Sequence, residues 1–128
     1  MKISITSLLV NNQEKAIKFY TDILGFQIKT DIPFGEHKWI TVVSKEQQQG
    51  VELLLEQISF QPAEIYQQAL YEAGIPCTTF QVMSLDYEYE RLKDLNVEFK
   101  IIPTIMGNIK MAILDDTCGN WIQLVEII

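Results

Sequence analysis

Residues 7–26 read SLLVNNQEKAIKFYTDILGF, and this stretch decides the fold. An apolar strand ending at Val10 runs into a polar turn, where Asn11 and Glu14 have the spacing of a helix-capping pair. Apolar residues then recur at the spacing of one buried helix face, at Ala16, Phe19, Tyr20 and Ile23. Gly25 can take the left-handed conformation that ends a helix. The stretch therefore predicts a strand, a helix and a helix end.

The same plan returns in residues 79–99, which read TFQVMSLDYEYERLKDLNVEF. Ser84 is predicted to cap the second helix, and Asn96 takes the place that Gly25 has in the first. The predicted buried stripe of this helix is Tyr89, Leu92 and Leu95. Two copies of one structural unit indicate an internal duplication. Such copies usually enclose a cleft between them.

A third helix is predicted between the two halves. Pro62 suits a first helical turn, and Gly74 suits the end. Its apolar stripe is Tyr66, Ala69, Leu70 and Ala73. Short apolar and β-branched segments separated by turn residues predict strands at 27–30, 38–43, 51–56, 99–102, 109–114 and 121–127, with loops at 31–38 and 104–108.

Each half thus reads as a strand, a helix and three strands. We predict an α+β fold of two tandem βαβββ modules, at about 1–58 and 76–128, joined by a helix at about 62–73. The modules are expected to form a curved mixed sheet around a cleft, within a single domain spanning residues 1–128.

The amino-acid composition and net charge indicate which classes of binding partner the chain can have. A chain of 128 residues with 48% hydrophobic and 21% charged residues is typical of one folded domain. The formal net charge of −7, with ten scattered Lys and Arg residues, argues against a nucleic-acid partner. We therefore expect no nucleic-acid binding.

The N-terminus and the cysteines indicate the compartment. The apolar run from Ile3 to Val10 is short and interrupted by polar residues, so it does not resemble a signal peptide, and no apolar run is long enough to span a membrane. Cys77 and Cys118 form neither a metal-type pair nor a disulfide framework. A cytoplasmic protein without membrane contact is expected.

Both ends of the chain resemble a known family. Residues 15–26, KAIKFYTDILGF, look like the first-helix signature of the vicinal oxygen chelate superfamily, and residues 115–124, DDTCGNWIQL, resemble its closing turn and last strand. This superfamily contains glyoxalase I, bleomycin resistance proteins, fosfomycin-modifying enzymes and extradiol dioxygenases. The resemblance implies the glyoxalase/bleomycin resistance/dioxygenase fold over essentially the whole chain, and it leaves the activity open because the fold hosts many.

Alternation along the strands indicates which residues face the cleft. If Leu8 and Val10 pack under the first helix, their neighbours point the other way, and the same reasoning applies to each strand. The predicted ligand-binding cleft is lined by Ser7, Trp39, Thr41, Glu52, Cys77, Thr79, Gln81, Trp121 and Gln123.

Metal-dependent members of the superfamily hold a divalent ion with four residues, typically His or Glu. Position by position, the resemblance places these sites on Ile5, Glu52, Cys77 and Gln123. Only Glu52 is a usual ligand for such an ion, and a catalytic zinc site needs three protein ligands. We therefore expect neither a metal centre nor another cofactor.

Several residues admit two interpretations. His37, the only histidine, could serve as a ligand or a general base but is also what a solvated loop would contain. Trp39 could form an aromatic wall for a flat ligand, or it could pack in the core or against another subunit. Glu52 could be a general base or simply hydrogen-bond a neighbouring strand. The Asp115-Asp116 pair is interpreted as part of a turn rather than as an acid/base pair.

Three functional hypotheses follow from the resemblance. The first is a metal-independent homodimer that binds a small organic molecule in its cleft. The second is a lyase or dioxygenase that uses a divalent metal held by Glu52 and atypical partners. The third is a non-catalytic accessory or regulatory subunit. The catalytic residues, if any, are not predicted.

Overall fold

The computed structural model describes residues 1–128, which form two compact units, Met1–Tyr66 and Gln67–Ile128. The first contains β1 (Ile5–Val10), α1 (Gln13–Lys18) with a π-helical continuation (Phe19–Ile23), β2 (Gln27–Phe34), β3 (His37–Val43), a 3₁₀ turn (Lys45–Gln47) and β4 (Glu52–Gln57). The helix α2 (Gln61–Glu72) joins the two units, and the second contains β5 (Thr78–Gln81), α3 (Leu85–Asp94), β6 (Phe99–Met106), β7 (Ile109–Asp115) and β8 (Trp121–Ile127).

Each unit has one mixed four-stranded sheet, and the two sheets share a topology. The strand order is β1-β4-β3-β2 in the first and β5-β8-β7-β6 in the second. The first strand pairs in parallel with the last, β1 with β4 and β5 with β8, while the remaining pairs are antiparallel. The predicted α+β fold of two tandem βαβββ modules is confirmed.

The first helix buries the face that its sequence predicts. Ala16, Phe19 and Tyr20 are buried, and Gly25 has a φ of +90° at the helix end. The predicted cap is wrong by one residue, since Asn12 is the N-cap and its side chain accepts a hydrogen bond from the Lys15 amide. Asn12 has the extended backbone that lets a cap side chain turn back onto the first turn.

The second module's helix follows the prediction except at its end. The Ser84 hydroxyl accepts from the Tyr87 amide, and Asn96 has a φ of +65°. The buried residues are Leu85 and Leu92, whereas Leu95 is 45% exposed, so the predicted stripe is wrong there. Leu95 is the C-cap residue, where the chain leaves the helical path and the 3.6-residue period no longer sets the direction of a side chain.

The connecting helix α2 does not bury its predicted apolar stripe. Tyr66 is 62% exposed, and the buried residue of this helix is Gln67. The Gln67 side-chain amide donates to the Cys118 carbonyl at 3.2 Å and to Asn120 Oδ1 at 3.1 Å. Because α2 is held by a polar contact to the β7–β8 turn, hydrophobic periodicity gave the wrong face. The predicted ends of the helix are correct, with Pro62 in the first turn and Gly74 at a φ of +72°.

Two segments predicted as loops, 31–38 and 104–108, are largely paired strand. In the first unit Phe34 pairs with His37 across the two-residue turn Gly35-Glu36, and in the second Met106 pairs with Ile109 across Gly107-Asn108. Both turn glycines have positive φ, +64° and +63°, as tight hairpin turns require. His37 is therefore the first residue of a strand and not part of a loop.

The β7–β8 turn is organised by a buried carboxylate. Asp116 is fully buried, and its Oδ1 accepts from the amides of Cys118 at 2.7 Å and Asn120 at 3.0 Å. Its Oδ2 accepts from the side-chain amide of Asn120 at 2.8 Å. Asp115 accepts from the Thr117 amide at 2.8 Å. The predicted turn is confirmed. None of the helices is both long and apolar enough to cross a membrane.

Candidate functional site

In the first sheet, one face carries four of the predicted cleft residues. Ser7 and Thr41 both pair with Leu54 from either side, and paired residues share a face of the sheet. Glu52 and Trp39 lie two residues from these pairs on β4 and β3, so the period of two puts them on the same face. The Thr41 hydroxyl donates to Glu52 Oε1 at 2.7 Å. Thr41 is itself fully buried, so this hydrogen bond holds Glu52 over the sheet.

The second sheet groups the other five predicted residues on one face. Thr79 pairs with Gln123, and its hydroxyl donates to Gln123 Oε1 at 3.1 Å. Gln81 lies two residues further along β5, and the Cys77 amide donates to the Trp121 carbonyl at 3.0 Å. Within each sheet, the residues predicted to line the cleft therefore share one face.

Trp121 is already covered by the protein's own side chains. Its ring stacks on Tyr71 of α2, with the centroids 4.6 Å apart and an interplanar angle of 5°, and its indole N–H donates to the Tyr71 carbonyl at 2.9 Å. Lys100 Nζ lies 5.2 Å from the Trp121 ring centroid. The Tyr71 hydroxyl donates to Asp115 Oδ2 at 2.8 Å, and this bond, more than burial, raises the pKa of Tyr71 to about 12. Trp121 thus ties α2 to the second sheet.

A pocket of about 390 Å³ opens on the first unit, beside the tip of the β2–β3 hairpin. Of the residues singled out from the sequence, Trp39 and His37 line it, while Ser7, Thr41 and Glu52 lie elsewhere on the same face. The other lining residues are Phe34, Gly35, Glu36, Leu54, Glu56, Gln57 and Ser59. Sequence reasoning did not select Phe34, Glu36 or Glu56. Alternation from Glu52 along β4 would have found Glu56, and recognition of the two-residue turn would have found Phe34.

The walls of the pocket are aromatic because the hairpin places two rings side by side. The ring centroids of Phe34 and Trp39 are 5.9 Å apart at an interplanar angle of 57°. Phe34 pairs with His37, and Trp39 pairs with Ile32, so both rings project from one face of the hairpin. Phe34 is 66% exposed. An aromatic surface with a few polar groups is the usual composition of a small-molecule site.

Comparison with known proteins places the chain in a family. The family described as the Glyoxalase/Bleomycin resistance protein/Dioxygenase superfamily matches residues 2–124. The chain belongs to this superfamily. Protein YurT of Bacillus subtilis (strain 168), described as uncharacterized, is 47% identical over 126 residues, which are 98% of this chain and 99% of YurT. YetH of the same organism, also described as uncharacterized, is 29% identical over 98% of both chains.

Solved structures of other proteins share the fold. The crystal structure of UcmS2 matches with a TM-score of 0.84 and 27% identity, over 98% of this chain and 97% of UcmS2. That of TnmS3, an antibiotic binding protein from Streptomyces sp. CB03234, matches with a TM-score of 0.78 and 22% identity, over 100% of this chain and 97% of TnmS3. The predicted family and fold are therefore correct.

The superfamily's metal positions do not fit a divalent ion in this chain. Ile5 pairs with Glu52 and supplies no donor atom. Burial raises the pKa of the Cys77 thiol to about 12, so the thiolate that a metal would need is disfavoured, although the residue as a whole is exposed. The Gln123 side-chain oxygen already accepts from Thr79. No three His, Cys, Asp or Glu side chains come together as a metal site.

Comparison of the two duplicated modules removes one more potential metal ligand from the superfamily's four positions. Ser7 and Thr79 lie at equivalent places, each five residues before the N-cap of the following helix, Asn12 or Ser84. Ser7 pairs with Leu54, and Thr79 pairs with Gln123. The position of the first module that corresponds to Gln123 is therefore Leu54 and not Glu52, and leucine cannot coordinate a metal.

Proposed function

We propose that this protein binds a small organic molecule, without a metal, in the pocket beside the β2–β3 hairpin. The observation that carries the proposal is the aromatic pocket of about 390 Å³ formed around Phe34 and Trp39. Its volume lies at the lower end of the range for ligand pockets, which is about 300–1,000 Å³. A planar or aromatic compound fits best, because two rings in contact offer flat apolar surface.

The comparisons support the same class of function. TnmS3, which has this fold, is an antibiotic binding protein, so the fold can serve to hold an organic molecule. Its identity of 22% carries no information on which molecule this chain would hold. The proposal therefore names a class of ligand, planar organic compounds, and no particular molecule.

Metal independence is supported by the chemistry of the donor set. The positions that hold the ion in metal-dependent relatives offer here an aliphatic side chain, a thiol that stays protonated and an amide that is already hydrogen-bonded. The fourth position is Leu54, and Glu52, two residues away on β4, could offer only one carboxylate, whose Oε1 accepts from Thr41. A single carboxylate falls short of the three protein ligands of a catalytic zinc site.

We further propose that the protein is a homodimer. The outer strand β2 exposes Ile28 and Ile32, at 42% and 52%, and the outer strand β6 exposes Ile102 and Ile105, at 59% and 65%. Long apolar outer strands are normally covered by a partner, because they otherwise promote aggregation. Light scattering should return about twice the 14.8 kDa mass of one chain, and a monomer at micromolar concentration would refute the dimer.

The binding proposal is tested by removing one ring. Equilibrium dialysis of the wild type against a panel of planar dyes identifies a ligand, and Trp39→Ala is then expected to weaken its binding at least tenfold, since buried Trp residues dominate binding energies. The matched control is Tyr87→Ala, which removes an aromatic residue that is 66% exposed on α3 and does not line the pocket.

Two results would contradict the proposal. Equal affinity of Trp39→Ala and wild type would show that the pocket is not the site. Mass spectrometry of the bound compound should recover it unchanged, and a converted product would instead favour an enzyme.

A further inference from the structure

The ionisable groups of the pocket are almost all acidic. The residues that line it include Glu36 and Glu56 together with His37, and they include no Lys or Arg. Neither glutamate takes part in any of the chain's salt bridges. Two carboxylates without a partner cation therefore border the pocket.

The nearest lysine in sequence does not neutralise them. Lys38 follows His37 on β3, so alternation directs it to the opposite face of the sheet. There its Nζ lies 3.6 Å from Asp31 Oδ1. The positive charge of Lys38 is thus paired with another carboxylate on the far side of the sheet.

The amide that lines the pocket is also occupied. Gln57 Oε1 accepts from the Gln13 amide at 2.8 Å, and Gln57 Nε2 donates to the Asn11 carbonyl at 3.0 Å. These bonds fix the start of α1 and leave the Gln57 side chain little capacity for a ligand. The glutamates are accordingly the main groups that could select a ligand by charge.

The aromatic walls favour the same sign of ligand charge. The faces of Trp and Phe rings carry negative potential and attract cations within about 6 Å of the centroid. Trp39 and Phe34 thus act in the same direction as Glu36 and Glu56. The net charge of −7 on the whole chain adds a weaker, salt-screened attraction for cations.

We propose that the pocket selects planar organic cations, such as aromatic compounds bearing an amine or amidinium group. The flat part lies against Trp39 and Phe34, and the positive group is placed near Glu56 and Glu36. This inference rests on the proposed binding function and adds to it the charge of the ligand.

The test uses three planar probes of similar size and different charge. Proflavine is the cation, acridone the neutral compound and anthraquinone-2-sulfonate the anion, each measured by equilibrium dialysis at pH 7. The wild type is expected to bind proflavine most tightly and anthraquinone-2-sulfonate most weakly. Raising the salt concentration should weaken proflavine binding and leave acridone binding unchanged.

Variants of Glu56 test whether its carboxylate causes the preference for a cationic ligand. Glu56→Gln is expected to weaken proflavine binding about fivefold, the size of one charge pair at about 4 Å in a water-like dielectric, and to leave acridone binding unchanged. Glu56→Lys should reverse the preference between proflavine and anthraquinone-2-sulfonate. The matched control is Glu46→Gln, which makes the same charge change at an exposed residue of the same unit that does not line the pocket.

The outcomes separate this inference from the proposed function. If acridone binds as tightly as proflavine, and Trp39→Ala abolishes both, the pocket binds planar molecules without regard to charge and this inference is wrong. A loss in Glu46→Gln equal to that in Glu56→Gln would also overturn it, because the effect would then come from net charge. If none of the three probes binds, both proposals fail.

Discussion

Replacing Asp116 by Asn tests whether the buried carboxylate organises the β7–β8 turn. Asp116 is fully buried, and it accepts hydrogen bonds from two backbone amides and from Asn120 Nδ2. Asn has nearly the same shape, so the variant changes hydrogen bonding and charge with little change of volume. Its oxygen can still accept from the two backbone amides, but its NH₂ group meets the NH₂ group of Asn120.

The loss of stability in Asp116→Asn follows from the strengths of these hydrogen bonds. Hydrogen bonds to an ionised group are about twice as strong as neutral ones, at about 1.5–3 against about 1 kcal/mol. Weakening two bonds by about 1 kcal/mol each and losing a third bond of about 2 kcal/mol predicts a free energy of unfolding that is lower by about 4 kcal/mol. That is a large part of the roughly 5–15 kcal/mol typical of a domain, and it should lower Tm by about 15 °C.

Chemical denaturation followed by circular dichroism measures this loss. The matched control is the neighbouring Asp115→Asn, whose oxygen can keep the bond from Thr117 and whose NH₂ can donate to the Tyr71 hydroxyl, because a hydroxyl also accepts. The control should cost less than about 1 kcal/mol. In the double variant Asp116→Asn with Asn120→Asp, donor and acceptor are exchanged, and stability should partly return. If Asp116→Asn costs no more than Asp115→Asn, the turn does not depend on this carboxylate.

Three further predictions concern titration, backbone strain and metal content. Because the pKa of Tyr71 is raised to about 12, its stabilising effect is complete below pH 10 and is lost as the pH rises towards 12. In an absorbance titration, Tyr71→Phe should remove one tyrosine from the part of the curve that titrates late. Gly119→Ala should destabilise more than Gly107→Ala in thermal unfolding, because both have positive φ but only the Cβ at residue 119 would lie 2.6 Å from Gln67, and equal losses would contradict this contact. Untagged protein incubated with nickel, zinc, manganese and iron should retain far less than one ion per chain by elemental analysis, and a stoichiometric ion lost in Glu52→Ala would instead support a metal enzyme.

The parts of the fold that depend on local chemistry were predictable from the sequence. Gly25 and Asn96 both adopt the positive φ expected at a helix end, and Ser84 caps as expected. The duplication fixed the order of elements, because the two halves share helix and turn signatures. These signals lie within a few residues of the structure that they specify.

Features that depend on distant contacts were not predictable. Strand β2 continues through Pro33, where proline indicated a strand end, because an outer strand can leave the missing amide unpaired. Gln67 is buried through bonds to Cys118 and Asn120, residues more than fifty positions away, which no periodicity reports. The pocket likewise depends on the hairpin register that brings Phe34 beside Trp39.

The two modules share the contacts that hold the backbone, although only the first module has the residues that form the pocket. The helix-start contact is kept in both, since Gln57 accepts from the Gln13 amide and Glu126 accepts from the Leu85 amide at 3.0 Å. The hairpin glycines are kept as well.

The residues that make the pocket differ between the modules. Counted from the hairpin turns and the strand registers, the second module has methionine at the positions of Phe34 and Trp39, and Val125 at the position of Glu56. Residues that hold the backbone were thus retained in both copies, whereas rings and a carboxylate occur in only one. Folding alone does not require this difference, because the second module forms the same sheet without them, and selection for a ligand on the first module would account for it.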